Sequence, residues 1–177
     1  MKFKLIPLAL ICLSIMACSS MELGDFDNTT PKFVPEEYFK GKLTAYGLVK
    51  NRSGQITRTF KGDLVGHWDE NGVGTLEEDF VYDDGEELRR VWTLTPNGEN
   101  TYIGTAGDIV GEAPMQVNGN TLKIDYTMLV PYDGDTIEID VVDWLHLQED
   151  GVILNHSKMT KFGVEVGELV ITIIKHP

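Results

Sequence analysis

The 177 residues carry 28 acidic side chains against 15 Lys and Arg, a net charge of −13, with four His and two Cys. So acidic a chain will not hold nucleic acid or anionic lipid headgroups through its general field. Its length suits one domain, large enough to bury a core or to enclose a cavity.

The chain opens with Lys2 and Lys4, runs uncharged from Leu5 to Met16, and reaches Ala17-Cys18-Ser19. A basic start, an apolar run and a small residue form a secretory signal, and the run is too short to span a bilayer comfortably as a permanent helix. Leu13 to Ser19 resembles the lipobox of bacterial lipoproteins. That resemblance implies cleavage before Cys18, a diacylglyceryl group on its thiol and an acyl group on its new amine, which together hold a protein on a membrane essentially permanently. Ser19 at the next position resembles the outer-membrane sorting signal, so the domain is expected in the periplasm, lipid-anchored to the outer membrane. Cleavage removes Lys2 and Lys4 and no acid, moving the net charge from −13 to −15. Cys12 leaves with the signal and Cys18 is lipidated, so no disulfide is expected. The expected division is a signal over 1–17, a lipidated polar tether over 18–34 and a folded domain over 35–177.

Pro35-Glu36-Glu37-Tyr38-Phe39 predicts one helical turn plugging an end of the domain. Beyond it, apolar and polar residues alternate in runs separated by Gly, Asn and Asp turns, the pattern of consecutive antiparallel strands. Ten are predicted: 42–50, 55–68, 72–82, 86–95, 100–110, 112–117, 121–130, 136–148, 152–161 and 164–175. Short turns, no long crossover and no helix to cover a sheet favour an all-β, up-and-down antiparallel barrel of about ten strands, lipocalin-like, whose closure removes exposed edges.

Turn chemistry predicts the register. Asp83-Asp84-Gly85 sets Phe80 opposite Leu88 and Glu78 opposite Arg90. Asp150-Gly151, read as a two-residue type I′ turn, sets Leu147 opposite Leu154, Leu145 opposite His156 and Asp143 opposite Lys158. Asn118-Gly119 in the same role sets Met115 opposite Leu122. The shared apolar face includes Leu76, Phe80, Trp92, Leu122, Ile124, Tyr126, Met128 and Leu145, and is taken as the barrel interior.

That interior would hold two ion pairs, Glu78 with Arg90 and Asp143 with Lys158, beside Trp92, Tyr126 and His156. Buried charges demand partners. Either each pair satisfies itself and fixes register, or Arg90 or Lys158 also accepts the carboxylate or phosphate of an apolar ligand lying along Leu88, Trp92, Tyr126, Met128 and Leu145, a task for which a planar guanidinium suits. The four His lack paired spacing, so no metal site is expected. Tyr132-Asp133-Gly134-Asp135 reads as a hairpin turn rather than a calcium loop. Ser53 and Ser157 lie in no nucleophile elbow, and Gly104, Gly107 and Gly111 miss the dinucleotide fingerprint, so no catalytic residue or cofactor is assigned. Val142, Trp144, Val166, Val170 and Ile174 face outward, to be covered by the segment around Phe33 to Phe39 or to meet a protein partner or a membrane.

Phe39-Lys40-Gly41, Leu76-Glu77-Glu78-Asp79-Phe80, Asp84-Gly85, Arg90-Val91-Trp92, Ala106-Gly107-Asp108-Ile109-Val110-Gly111, Val142-Asp143-Trp144 and Lys161-Phe162-Gly163 together resemble the bacterial lipoprotein family catalogued as domain of unknown function 3833. The similarity spans Pro35 to Lys175. Members are often encoded beside enzymes that modify membrane fatty acids, so the resemblance implies lipid handling, with no catalytic residue to carry over. The leading expectation is therefore a membrane-anchored, non-enzymatic barrel for a fatty acid or similar amphiphile. The alternatives are an enzyme using Asp143 or Glu78 as base on a lipid-derived substrate, and an envelope assembly protein docking through the outward apolar strip.

Overall fold

Each hairpin in the computed structural model hands its strand to the next until the last pairs with the first. The structure describes residues 21–177; the predicted signal and Cys18 lie outside the described residues. The strands are β1 (Gly41–Asn51), β2 (Ile56–Trp68), β3 (Gly74–Tyr82), β4 (Glu87–Pro96) and β5 (Thr101–Thr105). They continue as β6 (Ala113–Asn118), β7 (Thr121–Tyr132), β8 (Asp135–Leu147), β9 (Val152–Lys161) and β10 (Val164–Lys175). All neighbours are antiparallel, and β1 pairs with β10 to close the barrel. The expected ten-stranded up-and-down architecture is the one observed.

Alternation drives this closure. Most inward positions are apolar, so one continuous core runs from Leu43 and Ala45 on β1 through Leu64, Leu76, Trp92 and Leu122 to Ile153 and Ile173. Burial of such faces at roughly 25 cal/mol per Å² dominates the stability of a barrel that has no disulfide among the described residues.

One end is sealed. A short helix, α1 (Pro35–Tyr38), places Tyr38 and Phe39 in the barrel, where Tyr38 Oη donates to the Ile173 carbonyl at 2.9 Å. Phe33, Tyr38 and Phe39 pack as an aromatic trio with ring centroids 5.4–5.8 Å apart. Gly66 on β2 makes room for this plug, since a Cβ there would lie 1.7 Å from the Phe39 carbonyl oxygen. At the opposite end the inward hydrophobics Val49, Leu88, Met128, Val130, Met159 and Leu169 are only partly buried, and the barrel has a mouth.

The sequence reading needs four corrections. First, β5 ends at Thr105, and residues 106–112 leave the strand ladder. They fill the wall between β4 and β7 near the mouth, with Val110 N–H donating to the Thr127 carbonyl and Leu129 N–H to that of Asp108. Second, the β8–β9 loop has three residues, Glu149-Asp150-Gly151, not two. Gln148 N–H donates to the Val152 carbonyl, and Gly151 takes the left-handed φ of +79° that favours glycine. The register is therefore Leu147–Ile153, Leu145–Asn155 and Asp143–Ser157. A one-residue slip turns every side chain over. Third, the β6–β7 turn is Gly119-Asn120, placing Met115 opposite Ile124; a slip of two leaves both faces unchanged. Fourth, Trp144 is covered by Phe26 from the 3-10 turn Leu23–Phe26, at 6.1 Å between ring centroids, and not by Phe33 to Phe39. Much of the segment read as tether is thus held on the barrel: Asn118 Nδ2 donates to the Leu23 carbonyl at 3.0 Å and Phe33 N–H to that of Gly119 at 2.8 Å.

Candidate functional site

Midway along the barrel lies a cavity of about 100 Å³. Phe39 of the plug forms its floor, and Leu76, Trp92, Leu122, Leu145 and Ile171 are among its apolar walls. Polar groups reach it from four strands: Glu78 on β3, Arg90 on β4, Tyr126 on β7 and Asp143 on β8, with Asn155 and Ser157 of β9 behind Asp143.

Two clusters organise these groups. In the first, Glu78 and Arg90 face each other across the β3–β4 ladder as expected, but the guanidinium belongs mainly to Asp108. Arg90 Nε donates to both Asp108 carboxylate oxygens at 3.0 Å and Nη2 to Oδ2 at 2.6 Å, with Met128 Sδ 3.3 Å away. Arg90 Nη1 stays 3.8 Å from Glu78 Oε2, beyond hydrogen-bonding distance. Asp108 comes from the 106–112 strap, which reads as strand in the sequence, so its role was not visible there.

In the second cluster, Asp143 is the hub. Tyr126 Oη donates to its Oδ2 at 3.0 Å, and Asn155 Nδ2 at 3.1 Å and Ser157 Oγ both donate to its Oδ1. Three neutral donors thus compensate this carboxylate without a cation in direct contact. Lys158 and His156, expected inside, point outward: Lys158 pairs with Glu165 at 3.0 Å, and His156 Nε2 lies 3.7 Å from Glu168. Neither touches the cavity. Trp92 and Tyr126 do line it, packed edge to face at 5.7 Å.

The electrostatics follow from burial. Glu78 is 8% exposed; Arg90 stands off at 3.8 Å, and the Trp92 indole is the one hydrogen-bonding side chain that reaches its carboxylate among the described residues. Burial pushes its pKa up to about 7; Arg90 opposes the rise, while Asp108 and Asp143 add to it. The Asp143 carboxyl is also raised by burial, against the pull of Ser157, Asn155 and Tyr126. Burial, then Asp143, lift the Tyr126 phenol well above its ordinary range. Burial disfavours the charge on Arg90, but Asp108 and Glu78 outweigh it and the guanidinium stays ionised. Three carboxylates thus share one cation, an excess of acceptors in a dry place.

Ser157 is fully buried with its hydroxyl committed to Asp143, and no imidazole faces it. No three His, Cys, Asp or Glu converge as a metal set among the described residues.

Comparison with known proteins places the chain by sequence and by fold. The family described as "Protein of unknown function (DUF3833)" matches residues 12–175. No curated protein matches. Among solved structures, the S-type phycobiliprotein lyase CPES from Guillardia theta is similar with a TM-score of 0.57 at 12% identity, over 80% of this chain and 90% of that one. The structure of EF1p2_mFAP2b bound to DFHBI gives a TM-score of 0.43 at 13% identity, over 79% of this chain and 95% of that one. At such identities the likeness to the lyase is one of fold.

Proposed function

Because the chain belongs to the DUF3833 family, whose description assigns no activity, its function is read from its own interior, and we propose that the barrel binds a small amphiphile without transforming it. The observation that carries this reading is Glu78: a carboxylate removed from water, met only by the Trp92 indole and by a guanidinium 3.8 Å away, and lining an apolar cavity. A purely structural core has little use for such a group, because a buried charge so weakly compensated costs several kcal/mol. Apolar walls with a few converging polar groups are the usual composition of a ligand site. The cavity of about 100 Å³ takes a polar head and a short apolar segment, and a longer tail extends past Leu88, Met128 and Leu169 towards the mouth.

The proposal includes a location. The run ending at Ala17-Cys18 supports a lipid anchor, and Ser19 supports the outer membrane, with the barrel in the periplasm. A fold shared with a phycobiliprotein lyase is compatible with a small molecule held in a barrel and does not choose it.

The test is native mass spectrometry of the full chain released gently from membranes, followed by titration of the emptied barrel with Trp92 fluorescence as the reporter. A co-purifying small molecule that rebinds and alters the Trp92 signal is the expected result. A barrel that carries nothing and responds to no amphiphile overturns the reading.

A further inference from the structure

Resting on the barrel-binding reading, we infer that the polar end of the ligand is a protonated amine, with the Glu78 carboxylate as its counter-ion. Three features of the cavity lead there. Asp143 already accepts from three side chains of the protein, Tyr126, Asn155 and Ser157, so it has far less to gain from a ligand than Glu78. Arg90, the one cation among the cavity-lining residues, has Nε and Nη2 taken by Asp108. Its free Nη1 looks at Glu78 from 3.8 Å. An anionic head accepting from Nη1 would therefore sit against the Glu78 carboxylate, and an anion is what this corner excludes. Glu78, reached by the Trp92 indole alone, keeps lone pairs that no other described group uses, and it lies where three acids share one guanidinium. A cationic donor relieves that excess; a neutral hydroxyl bridging Glu78 and Arg90 meets the geometry but leaves the charge in place. The expected fatty-acid carboxylate, read from Arg90 and Lys158, loses both its cations here: one is claimed by Asp108 and the other lies outside the wall.

The experiment titrates the full lipidated chain at pH 7.5 with hexylamine, hexan-1-ol and hexanoate, which share one tail and differ in the head, and reads binding by chemical-shift changes of the Trp92 indole. The amine is expected to bind about tenfold or more tighter than the alcohol, as a charge-assisted hydrogen bond in a dry site requires, and hexanoate weakest of the three. Glu78→Gln is expected to remove the amine's advantage while leaving the alcohol within about threefold. Alcohol or hexanoate binding as well as the amine, or an amine affinity untouched in Glu78→Gln, overturns the head-group inference while the barrel remains a binder. Silence from all three probes together with no co-purifying molecule overturns the barrel-binding reading itself. The wild-type series needs no variant to fold, and a thermal midpoint of Glu78→Gln no lower than wild type validates the second arm.

Discussion

Arg90 and Asp108 join a barrel strand to a part of the wall that is not strand: the guanidinium of β4 grips the carboxylate of the 106–112 strap through Nε and Nη2, at 3.0 and 2.6 Å. Beside them Ile109 is buried and bridges to Met128 of β7, so the strap is fastened by an ion pair, a buried apolar side chain and two backbone hydrogen bonds to β7. Asp108→Asn should weaken both the strap and the charge balance of Arg90. Removing one partner of a buried pair costs several kcal/mol, and the Asp108 side chain is 27% exposed, so a loss of about 1–3 kcal/mol is expected. Hydrogen exchange at the Val110 and Leu129 amides, which tie the strap to β7, should accelerate more than at Ile124. Uniform acceleration would argue against a strap that opens by itself.

Glu78 makes stability depend on pH with a definite sign. Its folded pKa of about 7 lies above the ordinary 4.5, so between those values the folded protein holds a proton that the unfolded chain has lost. Stability from this group is complete below pH 4.5 and is lost as pH rises through 7. Asp143, also raised by burial, acts in the same direction. Glu78→Gln deletes this contribution: equal to wild type at pH 4, it should be more stable at pH 8 by on the order of 2–3 kcal/mol. Denaturant midpoints at the two pH values measure it, and a variant less stable at pH 8 contradicts a strained carboxylate.

The corrected β8–β9 register makes opposite predictions for neighbouring residues. Lys158→Ala and His156→Ala remove half-exposed side chains with surface partners and should change stability by less than about 1 kcal/mol, with ligand binding unaltered. Ser157→Ala removes a donor from the buried Asp143 and should cost about 1–3 kcal/mol. Were Lys158 the partner of Asp143, the order of these effects would reverse.

Which parts were legible in the sequence follows from turn chemistry. Glu78 opposite Arg90 is readable because Asp83-Asp84-Gly85 has the composition of a three-residue loop, and Gly85 does adopt a φ of +85°. Glu149-Asp150-Gly151 repeats that pattern, with Gly151 at +79°, and treating it as a two-residue turn misplaced every β9 side chain. The comparison of the two loops was available in the sequence and would have put Asn155 and Ser157 inside. Asp108 was not available in that way. Its neighbours alternate as a strand would, and only the shortness of β5 and β6 leaves a gap that the strap fills. Alternation reports which side a residue faces and does not report where the ladder stops.

The plug can be tested through the glycine that admits it. Gly66→Ala would put a methyl group 1.7 Å from the Phe39 carbonyl, so the plug must shift, at a cost of at least 1–3 kcal/mol. Phe39→Ala, which empties the floor of the cavity, should cost about 3–5 kcal/mol. The two differ in their effect on the site: Phe39→Ala deepens the cavity and should improve binding of a probe with a longer tail, whereas Gly66→Ala should not. Loss of binding in Phe39→Ala at a temperature where the variant is folded would show that the floor itself holds the ligand.

The docked segment also sets an orientation for the anchored protein proposed above. Leu23 is held by Asn118 and Phe33 by Gly119, both at the sealed end of the barrel, so the chain enters there. Leu23 lies five positions after Cys18, a reach of at most about 17 Å. A lipidated Cys18 therefore keeps the sealed end against the bilayer, and tilted strands of this length carry the mouth roughly 30 Å further out. The ligand is then exchanged with the periplasm and not drawn directly from the lipid underneath. Because Cys12 is cleaved off and Cys18 is blocked by lipid in this reading, single labels at Glu149→Cys, on the sealed end, and Phe162→Cys, at the mouth, need no further substitution. In vesicles carrying a headgroup quencher the first label should be strongly quenched and the second barely. The reverse pattern would mean that the mouth faces the membrane, and Cys18→Ser should abolish quenching of both by releasing the protein.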